Sequence, residues 1–80
     1  MITIHLYAGL RDLAKLSRLD LPWSNDMTIA TLRATLCSNY PTLASLLMRS
    51  NIAINDQISS EEQPIPDNAE IAILPPVSGG

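Results

Sequence analysis

Glu70-Ile71-Ala72-Ile73-Leu74-Pro75-Pro76-Val77-Ser78-Gly79-Gly80 divides this sequence into a folded body and an arm. The residues from Glu70 to Leu74 read as a strand, and Pro75 stops it, because proline fixes φ and has no N–H to offer a neighbouring strand. Leu74, standing before a proline, is itself held extended. Two consecutive prolines favour a stiff polyproline II segment that points away from the sheet. Residues 1–74 are therefore expected to form one domain and residues 75–80 a C-terminal tail. Six residues at about 3.3 Å each give the tail a reach of roughly 20 Å. Gly79 and Gly80 lack a Cβ, which makes that end slim and its carbonyl unhindered.

A slim carboxylate on a stiff arm suits one kind of chemistry. Carboxylates resist nucleophiles in water, but once a partner enzyme has made the acyl-adenylate, the same carbon accepts a sulfur, a thiol or an amine. Glycine hinders that attack least. Gly80 is thus the candidate chemical site, and Pro75, Pro76, Val77, Ser78 and Gly79 are the candidate segment entering a partner's active site. For Gly-Gly alone, a loose terminus is an equally good reading. The Leu-Pro-Pro-Val-Ser run before it favours the aimed arm.

Working outward, 80 residues suffice for a single domain and leave little room for a cleft that encloses a substrate. Hydrophobic residues make up 46% and charged residues 16%, enough for a packed core, which with no Phe must be built from Leu, Ile and Ala. A net charge of −3 argues against nucleic acid and suits a basic groove on a protein partner. One lysine, Lys15, limits any self-built polymer to one linkage site. The single Cys37 excludes an internal disulfide, gives no metal-ligand spacing and fits a reducing compartment. Arg11 and Asp12 interrupt the first apolar stretch, so no signal peptide is read, and no run approaches a membrane span. A cytoplasmic protein with no bound metal or cofactor of its own is expected.

Taken in order, Ile2, Ile4 and Leu6 alternate with Thr3, His5 and Tyr7, a first strand with one buried face. His5 falls on the opposite face with no carboxylate close in sequence. Leu10, Leu13, Ala14 and Leu16 recur at helical spacing and predict a short helix packed through them. Arg18 to Pro22 predicts a returning strand, and Trp23 a lid on the core. Thr28 is a candidate N-cap for the main helix, whose apolar stripe is Ile29, Leu32, Leu36 and Cys37, with Thr31, Arg33 and Thr35 opposite. Pro41 opens a second short helix with Leu43, Leu46 and Leu47. Ile52 and Ile54 mark a third strand, Asn55-Asp56 a turn, Gln57 to Ser59 a short partner strand, and Ser60 to Pro66 a surface loop. The pattern is that of an α+β roll in which a mixed sheet grasps one main helix.

The residues from Ile2 to Asp12, the run Ala53-Ile54-Asn55 and the ending from Pro66 to Gly80 resemble the small, sulfur-carrier subunit of molybdopterin synthase, a ubiquitin-like family. That resemblance implies a β-grasp fold. It implies that an E1-like adenylating enzyme, using ATP, activates Gly80, which becomes a thiocarboxylate. It also implies that the sulfur passes to a pterin precursor held by the large synthase subunit, which would carry the catalytic residues. Leu6, Ile73 and Leu74 are candidates for the partner interface, or else for the core. Between Trp23 and Asn51 the likeness is one of pattern only. Sulfur delivery for thiamine or tRNA, or attachment to proteins as a modifier, are the alternative destinations for the same carrier chemistry.

Overall fold

The computed structural model describes residues 1–76, and the expectations placed on Val77, Ser78, Gly79 and Gly80 lie outside the described residues. Strands β1 (Ile2–Leu6), β2 (Arg18–Leu21), β3 (Asn51–Ile54), β4 (Gln57–Ile58) and β5 (Glu70–Leu74) form one sheet in the order β2-β1-β5-β3-β4. β1 and β5 run parallel at its centre, and the other pairings are antiparallel. Helices α1 (Ala8–Ala14), α2 (Ile29–Asn39) and α3 (Ala44–Met48), with a 3-10 turn at Pro41–Leu43, complete the described chain.

The alternation read in the sequence determines which face is covered. Ile2, Ile4 and Leu6 of β1, Ile52 and Ile54 of β3, and Ile71 and Ile73 of β5 are buried together with Leu10, Ile29, Leu32, Leu36, Leu43 and Leu47 from the helical side. Burying each of these side chains stabilises the fold by roughly 1.5–3 kcal/mol. The buried core members among the described residues are all aliphatic, with Trp23 and Tyr40 packed against them from the side. Ile65 and Ala69 extend the core beneath the loop before β5.

α2 begins where its cap was read. The Thr28 hydroxyl accepts from Thr31 N–H at 3.2 Å, and Thr28 N–H donates to the Thr31 hydroxyl at 2.8 Å, a reciprocal box built from two threonines. The next two amides are satisfied by the loop that follows β4: Ile29 N–H donates to Gln63 O and Ala30 N–H to Glu61 O. Trp23 closes this side as a lid, its half-buried ring donating from Nε1 to Ile65 O at 2.6 Å. Cys37 is half-buried and packs on the core as a small apolar group.

Two expectations are corrected. The short helix does not pack through Leu13 and Leu16, which are 58% and 40% exposed; Leu10 alone is buried and Ala14 partly so. A helix of two turns shows the core a single row, and Lys15 leaves it in the left-handed region at φ 58°, which takes Leu16 out of the helical repeat. Arg33, read on the outward side of α2, is the second. Its side chain is only 11% exposed, donating from Nε and Nη2 to the two Glu61 oxygens at 3.1 and 2.7 Å and from Nη1 to Leu47 O and Ser50 O at 2.6 and 2.7 Å. One guanidinium thus ties α2 to the loop before β5 and to the end of α3. Its hydrogen bonds and charge hold the Glu61 carboxyl below the ordinary carboxylate value, against a smaller opposing effect of desolvation.

Candidate functional site

The sheet's second face and the strand that leads to the tail together form the candidate site. Strand alternation puts Leu6 and Ile73 on the helix-covered side, where they are 2% and 0% exposed, so of the three candidate interface residues these two belong to the core. Leu74 is half-exposed, and it lies on the open side. The same alternation was visible in the sequence and would have separated them: residues 3 and 5 in β1, continued by Tyr7 just past its end, and 72 and 74 in β5 share the uncovered face.

Register assembles that face across the whole sheet. One row of cross-strand neighbours runs Arg18, His5, Ala72, Ala53 and Ile58, one residue from each strand. The two alanines make the middle of the row low. Ile58 stands at one end of it, 65% exposed, and Tyr7, 44% exposed, rises on the tail side. The result is a saddle of mixed character, low at its two alanines, with His5 and Arg18 toward one end and the exposed side chains of Ile58 and Tyr7 at its rim. Sequence reading passed over Ile58, because two residues of β4 carry too little periodicity to reveal a face.

A depression of about 330 Å³ opens beside the saddle, lined by His5, Tyr7, Asn55, Asp56, Glu70 and Ala72. His5 Nε2 lies 2.9 Å from Glu70 Oε1, a pairing across the parallel β1–β5 ladder that joins residues 65 apart in sequence. Asn55 holds the turn beneath: it sits at φ 46° and Asp56 at φ 73°, its N–H donates to Glu70 O, and its Oδ1 accepts from Glu70 N–H. Asparagine and aspartate tolerate the left-handed region better than most residues, which is how this turn is made without glycine.

The exit of the tail is fixed by topology. β5 lies between β1 and β3, and its last residue, Leu74, pairs with Asn51 at the start of β3. The chain therefore leaves from the middle of the sheet's end, level with Tyr7 and bordering the saddle. Pro75 is half-buried against the body and Pro76 is exposed. Neither Pro75 nor Pro76 has an N–H to donate to a neighbouring strand. Among the described residues, no group of three or more His, Cys, Asp or Glu side chains is placed to hold a metal ion.

Comparison with known proteins agrees with this geometry. A family model described as the ThiS family matches residues 4–80. The molybdopterin synthase sulfur carrier subunit of Dictyostelium discoideum is 41% identical over 64 residues, which span 78% of this chain and 73% of that protein. Among solved structures, SAMP1 from Haloferax volcanii superposes with a TM-score of 0.84 at 22% identity, covering 99% of this chain and 98% of that one. One chain of the protein–protein complex of subunits 1 and 2 of the molybdopterin-converting factor from Helicobacter pylori superposes with a TM-score of 0.71 at 26% identity, over 99% of this chain and 97% of that one. The mixed five-stranded sheet grasping α2 is a ubiquitin-like β-grasp.

Proposed function

We propose, from the premise that this chain belongs to the ThiS family, that it is the sulfur-carrier subunit of a molybdopterin synthase. The observation that carries this reading is that Pro75 and Pro76 leave the central strand β5 beside the uncovered face of the sheet, with Gly79 and Gly80 completing the arm in sequence. The saddle docks on the large subunit, and the arm reaches into that subunit's active site.

The chemistry assigned to Gly80 takes two steps on one carbon. Its carboxylate attacks the α-phosphorus of ATP on an E1-like adenylating enzyme, forming the acyl-adenylate and releasing pyrophosphate. A sulfur nucleophile then displaces AMP, and the terminus becomes a thiocarboxylate. In the large subunit the thiocarboxylate sulfur bonds to the pterin precursor, water then cleaves the acyl–sulfur bond, and the carboxylate so formed is left to be charged again. This chain supplies the carrier atom and its delivery. The residues that activate and accept the sulfur are on its partners, and its own place of work is the cytoplasm.

Deletion of Gly80 tests this directly. The truncated chain is expected to keep the urea midpoint of the full chain and to lose sulfur transfer to the precursor in a reconstituted synthase. Transfer that survives the deletion would contradict the reading.

A further inference from the structure

The outer edge of β2 is an unpaired strand edge whose sequence is complementary to itself. β2 lies at one end of the sheet, and among the described residues no backbone hydrogen bond joins its outer side to another element. The phase of the ladder follows from Leu6 N–H donating to Ser17 O at 2.9 Å. In an antiparallel pair, residues alternately turn their peptide groups toward the neighbour and away from it. Ser17, Leu19 and Leu21 therefore face β1, and Arg18 and Asp20 present their N–H and C=O outward.

A second strand can bond only to those outward groups. Two copies of β2 running antiparallel have three registers that bring outward residues opposite one another. One sets Arg18 against Arg18 and is repelled. Another sets Asp20 against Asp20 and also places Arg18 opposite Pro22, which has no N–H to give. The third places the two-fold axis at Leu19. Arg18 of each copy then stands opposite Asp20 of the other, with backbone bonds in both directions at each pair and the two Leu19 side chains adjacent on the opposite face. Both charged side chains are exposed on the free chain, where they form only a loose 3.7 Å contact with each other, so exchanging it for two cross-strand pairs sacrifices little. Charges on a strand edge ordinarily discourage pairing, but opposite signs two residues apart select one register and reject the rest.

We propose that this chain associates with a second copy of itself through β2, joining two five-stranded sheets into one continuous sheet about a two-fold axis at Leu19. The interface is a single short strand, so the dimer is weak and depends on concentration. The other edge, β4, has two residues and no charged side chain, and offers no comparable code.

The test is sedimentation equilibrium of the free chain over increasing concentration, with Asp20→Arg, Arg18→Asp and a mixture of the two variants. The wild type is expected to show monomer–dimer association. Each single variant alone is expected to lose it by at least tenfold in dissociation constant, since all facing charges become alike. The mixture restores it, because one chain then presents two cations to two anions. The doubly swapped chain R18D/D20R dimerises on its own, which provides a second arm if either single variant folds poorly. A wild type that stays monomeric to its solubility limit, or a dimer indifferent to these charges, overturns the proposal. A monomeric wild type whose affinity for the large subunit falls with Asp20→Arg also overturns it and assigns the edge to that subunit.

Discussion

Arg33 concentrates more of the described polar structure than any other side chain, meeting a carboxylate in the loop before β5 and two backbone carbonyls at the end of α3. Arg33→Ala leaves Leu47 O and Ser50 O without this donor and is expected to cost about 2 kcal/mol in urea unfolding. Arg33→Lys should recover only part of that, because an ammonium cannot make the forked pair with Glu61. The Glu61 pair also carries a pH dependence. Its carboxyl is held below the ordinary value of 4.5 in the folded chain, so its contribution is fully present above that value and is lost as pH falls through the lowered folded value. The urea midpoint of Glu61→Gln should accordingly fall less on acidification than that of the wild type, and parallel curves would show that the pair is not responsible. None of this was legible in sequence, where Arg33 stands opposite the apolar stripe of α2 and its partners lie 14 to 28 residues away. The His5–Glu70 contact was hidden for the same reason, since only the parallel β1–β5 pairing brings the two residues together.

At the scale of elements, β5 unites stability and function because its two faces do different work. Ile71 is fully buried, and Ile71→Ala is expected to cost about 3 kcal/mol through the lost contacts and the cavity left behind. On the open face, Ile58→Asp should weaken binding to the large subunit by tenfold or more while leaving the urea midpoint nearly unchanged, as measured by calorimetry and denaturation. Equal binding by the variant would move the docking surface elsewhere. The strands and α2 were legible because alternation, a capping threonine and prolines at their ends act locally. The exposure of Leu13 and Leu16 was not: a two-turn helix shows the core a single row that omits Leu13, and Lys15 leaves α1 through a left-handed conformation that lysine rarely adopts, which takes Leu16 out of the repeat. Leu6 and Ile73 were read both as core and as interface. The alternation that already placed Ile2 and Ile4 inward assigns them to the core.

At the scale of the whole molecule, the described body ends in the central strand β5 and Pro75-Pro76, and in the proposed function that body is the handle by which partners position the arm. No described helix is long and apolar enough to cross a membrane, and the net charge of −3 leaves the surface suited to basic protein partners. The ThiS-family match extends over residues 4–80. The chemistry proposed for the arm could be read from its last residues, while the proposed docking face exists only once five strands are in register. In the proposed function, Gly80 carries the sulfur. Intact mass spectrometry of the chain, after incubation with an adenylating enzyme, ATP and a sulfur donor, measures this most directly. We predict a mass shift equal to the replacement of one oxygen by sulfur, present in the full chain and missing when Gly80 is deleted. An unchanged mass in the presence of an activating system that charges a known carrier, or the same shift in the deleted chain, would contradict it.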